Sequence, residues 1–336
     1  ALAGPGTCAL RALNRVTPGD IAQKFLLSGA ARIASGFRSL FNLPESIVML
    51  RGDKPDEAYW RLTLRYAAEG NIQSMLDEHV HTLKESLGVQ EQTPDKQIAA
   101  IADAVQSSLS LRTAQIQIDE IKTVNNKLVV EGFNTRSRFA LRFGDIKGDA
   151  QQALDRASTV RDAFNSPFRP FILASTSIGQ EGLDFHTWCH AVIHWNLPAN
   201  PVDLEQREGR VHRYKGHAVR KNIAFCHGLK VLHENGYLGD PWDALFAHAA
   251  RQKPEHLNDL VPYWLYDEGP ARIERHIYMI PFSREIAKLK QLKKGLALYR
   301  LAFGQPRQED LIASFNFKED DSRAQILDAM ISLAPR

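Results

Sequence analysis

Apolar positions recur at three- and four-residue spacing through most of residues 1 to about 110. The clearest stretch is Asn71–Leu87, where Ile72, Met75, Leu76, Val80, Leu83 and Leu87 share one stripe. That spacing predicts a helix, with Asn71 after Gly70 as its N-cap. The segment LGVQEQTPDK, residues 87–96, reads as a linker. At Lys127–Gly144 the pattern turns to short strand-like runs, Leu128–Val130 and Phe139–Phe143. From Arg138 to Cys226 strand-like and helix-like segments alternate. Strands are expected at Arg138–Phe143, Phe171–Thr176, Ala191–Trp195 and Asn222–Cys226, and helices at Asp149–Phe164 and Val202–Arg213. Near-continuous apolar strands between helices predict a parallel sheet covered on both faces. Beyond about residue 230 the pattern is helical again. Ile286, Leu289, Leu292, Leu296 and Tyr299 form a stripe, with Lys288, Lys290, Lys293, Lys294 and Arg300 opposite it.

Composition narrows this picture. A chain of 336 residues is long for one minimal domain, and two compact units are expected. Apolar residues at 44% and charged residues at 24% exclude a disordered, collagen-like or disulfide-stapled chain. No apolar run reaches the roughly 18 residues of a membrane span, so no membrane partner is expected. The net charge of +3 says nothing about partners by itself. Cys8, Cys189 and Cys226 are widely spaced, with no C-x-x-C pair, and read as thiols in a reducing, cytoplasmic compartment. The 12 histidines include no H-E-x-x-H and no cluster with ligand spacing, so no metal is assigned. The opening Ala-Leu-Ala-Gly-Pro-Gly has no basic and apolar leader pattern and reads as the start of a piece of a longer chain.

Two segments carry chemistry. The first, Ser175-Thr176-Ser177-Ile178-Gly179-Gln180-Glu181-Gly182-Leu183-Asp184, follows the expected strand from Phe171. Small hydroxyl residues and glycines at the carboxyl end of a strand let backbone N–H groups approach phosphate oxygens, and Asp184 can hold a ribose hydroxyl or order the loop. A plain turn accounts for such a loop equally well. The second is Gln206-Arg207-Glu208-Gly209-Arg210-Val211-His212-Arg213. On a helix, Arg210 and Arg213 would share one face, and two guanidiniums can clamp a polyphosphate. Gly209 inside a helix costs about 1 kcal/mol against Ala, which suggests close approach of another group. A solvated basic helix is the default account of a lone R-x-x-R.

Their pairing, across a Leu197-Pro198-Ala199-Asn200-Pro201 corner, resembles the superfamily-two helicases and translocases. The G-x-E-G-L-D loop looks like their motif V and the Q-x-x-G-R-x-x-R segment like their motif VI. The stretch His194–His217 looks most like the Swi/Snf-type and polymerase-recycling branch, and bacterial phage-defence helicases share this type of core. The resemblance is specific over about Phe171–His217. It implies an α/β fold: a RecA-like parallel-sheet lobe at 126–230, flanked by a mainly helical insertion or accessory region at 1–125 and a helical extension at 231–336. It implies that Arg210, Arg213 and Gln206 serve catalysis and face ATP phosphates, that Gly182 and Asp184 couple to the nucleotide, and that Ser175, Thr176, Gly179 and Lys215 meet nucleic acid, DNA first. The expected cofactor is ATP with Mg²⁺, bound mainly by a first RecA-like lobe of the same parent protein. That lobe, and other subunits of a complex, are the expected partners.

The departure is equally plain. This chain contains no G-x-x-x-x-G-K-[ST], and no D-E-x-H or D-E-x-D following a buried strand. An arginine finger aimed at a site supplied elsewhere does not by itself catalyse. The expectation is therefore a motor lobe that works only beside its first lobe; the alternative is an inactive helicase-like scaffold that binds nucleic acid or protein. Phe185, Trp188 and Trp195 can stack on bases but read first as core. The lysine face of 286–300 can track phosphates but reads first as a solvated face. His186, His190, His194 and His212 read as structural, and Arg136, Arg138 and Arg142 as weak candidates for nucleic-acid contact.

Overall fold

The computed structural model describes residues 1–17, 23–52, 56–109, 114–124, 127–137, 161–168, 170–174, 184–234, 239–278 and 284–302. The chain divides into two compact units that interleave along the sequence: Ala1–Cys189 with Tyr214–Ala271, and His190–Arg213 with Arg272–Arg336.

The first unit opens with six helices, α1 (Pro5–Val16), α2 (Gln23–Phe41), α3 (Pro44–Arg51), α4 (Tyr59–Ala68), α5 (Asn71–Ser86) and α6 (Pro94–Leu109). Their apolar stripes meet in one core that includes Leu13 and Val16 from α1, Ile33 and Phe37 from α2, Leu76 and Val80 from α5 and Ile101 and Val105 from α6. Close approach of α2 to α6 depends on glycine. A Cβ on Gly29 would sit 2.8 Å from Ile98 Cγ2, and one on Gly36 would sit 2.7 Å from Leu109 Cδ1. Asn71 does not cap α5. Gly70, left-handed at φ 84°, holds the cap position, and the Asn71 amide donates to Glu69 instead.

Strands β1 (Ala114–Val124) and β2 (Lys127–Ser137) form an antiparallel hairpin in which Ile121 faces Val130 and Thr123 faces Leu128. The expected boundary between 125 and 126 thus falls between two strands paired with each other. The unit resumes after Arg213 with helices that we number α8 (His217–Glu234) and α9 (Pro241–Gln252). Val219, Ile223, Val231, Trp242, Leu245, Phe246 and Tyr266 build a second core there. The strand expected at Asn222–Cys226 is in fact part of α8. Burial follows helical spacing, with Val219, Ile223 and Val231 inside and Phe225 72% exposed.

One face of α5 joins the two cores. Glu78, His81 and Glu85 lie three and four residues apart. Glu78 accepts from the buried Arg220 Nε at 2.8 Å, His81 Nδ1 lies 2.8 Å from Asp240, and Glu85 pairs with Lys215.

The second unit holds β3 (Ala191–His194), α7 (Pro201–Gly209), β4 (Glu274–Ile277) and α10 (Glu285–Ala302). β3 and β4 are parallel, with Ala191 opposite Glu274 and His194 opposite Ile277. Among the described residues the expected parallel sheet is present only as this pair, and β4 comes from the stretch expected to be helical. Residues 171–174 form no ladder here, and Phe171 and Ile172 are 63% and 80% exposed, so the apolar run is not the buried strand expected of it. The expected strand at Arg138–Phe143 and most of the expected helix at 149–164 lie outside the described residues.

Candidate functional site

The second unit positions the arginine segment. Asn200 starts α7, its side-chain oxygen accepting the Val202 N–H at 2.9 Å, and Pro201 follows with φ preset for a helix. Leu204 anchors the helix in a small core with Leu197 and Leu292. Glu208 anchors it a second time. Its carboxylate accepts both Arg275 Nε and Nη2 from β4, and lies 3.2 Å from His194 Nε2 on β3. Burial alone would push this carboxyl up. Hydrogen bonds from His194 and Arg275, with their charge, outweigh it and hold the group at about 2, well below the ordinary range. The same pairing raises the Arg275 guanidinium. Within Gln206–Arg213, this lone acid of a basic run is the residue that fixes the helix to the strand pair. Its charge contrast is the only hint the sequence offers.

The helix ends at Gly209, before the arginines. Arg210 is the C-cap residue, and Arg213 lies past the turn that follows. The two therefore do not share a helix face, as their spacing suggested; they sit on the irregular segment leaving the helix. Nor does Gly209 mark a close approach, since a Cβ there would meet nothing within 4 Å among the described residues. A glycine at the last helical position ends the helix instead. Gln206 is exposed, while Arg210 and Arg213 are half-buried. Arg207 is tied back, donating from Nη1 to the Asn196 carbonyl at 3.0 Å.

The other expected residues divide. Ser175, Thr176, Gly179 and Gly182 lie outside the described residues. Asp184 belongs to the first unit and is exposed, and its carbonyl accepts from Asn165 Nδ2 at 2.7 Å. Lys215 also belongs to the first unit. It is buried, has φ of 48°, pairs through Nζ with Glu85 and lies 4.6 Å from the Phe246 ring centre. An ammonium so held would have to break that pair to reach a phosphate. Of the aromatic candidates, Phe185 is buried against Phe164, as expected of a core residue, while Trp188 is half-buried with its ring against His79. Trp195 is not core. It is 80% exposed, and its ring meets that of Tyr278 at 5.3 Å.

Magnesium needs a set of oxygen donors at near-octahedral spacing. The described part of the arginine segment offers Glu208, already consumed by Arg275 and His194. The described part of this segment thus offers a magnesium ion no uncommitted carboxylate. Elsewhere, His81, Asp240 and Asp243 bring donor atoms within 4.8 Å of one another. Asp240 is spent capping α9 through the Trp242 N–H at 2.9 Å and pairing with His81, which is a complete structural account.

Residues 109–215 match the family of the helicase conserved C-terminal domain. Among curated proteins, the chain is 25% identical over 218 residues to the "Uncharacterized ATP-dependent helicase YqhH" of Bacillus subtilis (strain 168), covering 59% of this chain and 37% of that protein. The chain therefore spans little more than a third of that relative's length. No solved structure matches it.

Proposed function

We propose, from the premise that residues 109–215 carry a superfamily-two helicase C-terminal lobe, that this chain is the second motor lobe of an ATP-dependent nucleic-acid helicase or translocase. The observation that carries the reading is the extent of the domain match, which takes in both the Ser175–Asp184 loop and the Gln206–Arg213 segment. ATP with Mg²⁺ is held mainly by a first lobe outside this chain, and its hydrolysis releases the free energy for movement. Arg210 and Arg213 enter that site from the irregular segment after α7. A guanidinium there stabilises charge on the transferring phosphoryl group without moving a proton, an effect worth about 10³–10⁵ in kcat in phosphoryl-transfer enzymes. Gln206 faces the same cleft, and Gly182 and Asp184 relay its state to Ser175, Thr176 and Gly179, which hold phosphates of the nucleic acid, DNA in the first instance.

Mechanically, the anchoring of α7 supports this role. Leu204 on one side and the Glu208–Arg275 pair on the other fix the helix, so the arginine segment departs from a rigid base. The test is turnover by the full-length parent with and without duplex DNA, beside Arg210→Ala. The expected result is a fall in kcat of at least 10³-fold with DNA affinity retained. Unchanged turnover would sink the arginine role and leave the scaffold alternative standing.

A further inference from the structure

We propose that the second unit carries a path for single-stranded nucleic acid formed by Trp195 and Tyr278 at one end and by Lys290, Lys293 and Lys294 on α10 at the other. The inference rests on the nucleic-acid reading above but uses residues outside both motifs.

The aromatic end comes from the strand pair. Trp195 directly follows β3 and Tyr278 directly follows β4, so the parallel pair delivers both rings at its carboxyl edge. Their ring centres are 5.3 Å apart at an interplanar angle of 66°, and they are 80% and 51% exposed. Two large aromatic rings left in water beside each other, with no further ring against either among the described residues, present a π-face to solvent. Bases stack on such faces regardless of sequence.

The basic end comes from α10. Leu289, Leu292 and Leu296 turn inward, where Leu292 packs with Leu197 and Leu204 and Leu289 lies against the same core. Gly295 allows the approach to α7, because a Cβ there would already lie 3.3 Å from Pro201 Cγ. Leu289, Leu292 and Leu296 are turned into protein, and Ile286, at 49% exposed, is the end of the stripe nearest water. Among the described residues α10 thus has a single large apolar side chain rather than an apolar face to lay into a lipid surface, which disfavours the usual partner of a basic amphipathic helix. Lys288 is spent on the Leu197 carbonyl. Lys290, Lys293 and Lys294 are exposed, share one face and make no ion pair among the described residues, and no acid occurs between Glu285 and Arg300 to neutralise them. Lys290 and Lys294 are separated by about 6 Å along the axis at 1.5 Å per residue, close to the separation of successive phosphates in an extended strand.

The two ends are one piece of structure. The Leu197 N–H donates to Glu285 and its carbonyl accepts from Lys288, so the first turn of α10 is pinned two residues beyond Trp195. Stacking aromatics beside a phosphate-tracking basic surface is the combination that binds single strands without sequence preference. Because α10 packs on α7, the path and the arginine segment share a base.

The test is binding of a fluorescein-labelled oligothymidylate to this chain by anisotropy across a salt titration, without nucleotide. The triple variant Lys290→Gln, Lys293→Gln, Lys294→Gln should lower the slope of log K against log salt by about 2, because each phosphate that a lysine neutralises on a single strand adds roughly 0.7 to it. Trp195→Ala should weaken binding by roughly 5- to 150-fold, the worth of one stacked base, and leave the slope unchanged. All four side chains are exposed, so circular dichroism and melting should match wild type. A control triple on the first unit, Lys24→Gln, Lys84→Gln and Lys96→Gln, removes the same charge and should preserve the slope. Several results would overturn the proposal: an unchanged slope in the first triple, an equal loss in the control, unchanged affinity in Trp195→Ala, or lysine-dependent binding to phosphatidylserine vesicles instead. Failure of the arginine reading appears separately, in turnover of the parent. A wild-type chain that binds no oligonucleotide at low salt would refute both the path and the nucleic-acid reading.

Discussion

Glu208 shows how much a single side chain decides here. It lies within the segment where six of the residues from Arg207 to Lys221 are basic, and the sequence gives it no role beyond partial neutralisation. The fold brings Arg275 to it from 67 positions away, and His194 from 14. Its carboxyl is held at about 2 against an ordinary value of 4.5, so the folded state binds its proton more weakly than the unfolded state does. The stabilisation is therefore complete above about pH 4.5 and is lost as pH falls toward 2. Glu208→Gln should destabilise the protein by about 1 kcal/mol at neutral pH, by leaving the partly exposed Arg275 without its charged partner. It should also remove this part of the acid sensitivity. Urea denaturation of both forms at intervals from pH 7 to 2.5 checks it, and parallel stability curves would refute the assignment. Arg210 and Arg213 make the complementary point. Their types were legible, but their shared face was not, because α7 stops at Gly209.

At the scale of elements, periodicity served the helices well. Asn71–Ser86 and Glu285–Ala302 lie where the stripes place them, Pro201–Gly209 starts on time but stops four residues short of Arg213, and the hairpin begins at Ala114, thirteen residues before the β pattern expected from Lys127. Spacing cannot say how close two helices approach. Gly36 is an unremarkable residue in the sequence, yet it lets Leu109 of α6 sit against the α2 backbone. Gly36→Leu should overpack that site and cost about 1–3 kcal/mol, where an exposed helical glycine replaced by leucine would gain stability. A thermal melt showing equal or higher stability would place the two helices farther apart than described. Short apolar runs were the weak point. Asn222–Cys226 and Phe171–Ala174 both read as buried strands, but one is a helix with Phe225 in water and the other is exposed. A run of four or five apolar residues fits a helix turn and a strand alike, and only its neighbours arbitrate.

For the whole molecule, the interleaving of the units matters most. The chain leaves the second unit at Arg213 and enters the first at Tyr214, which stacks on Tyr263 at 5.8 Å. Lys215 then pairs with Glu85 and the fully buried Arg220 with Glu78, so the residues following the arginine segment are locked to the N-terminal helices. On the function proposed above, a lobe that contributes arginines but no phosphate-binding loop should not turn over ATP alone. A phosphate-release assay on these 336 residues with saturating DNA is expected to read background. Turnover that survives purification and depends on DNA would overturn the division of labour between lobes. Local residue order determined the helical stripes, the two motifs and the helicase resemblance they carry, because hydrophobic period and motif spacing are written along the chain. The tertiary structure alone decided the ion pairs of Glu208, Lys215 and Arg220, the breaking of the arginine face and the exposure of Trp195. Each of these depends on which distant segment comes to lie alongside, and proximity between residues far apart in sequence leaves no periodic trace in it.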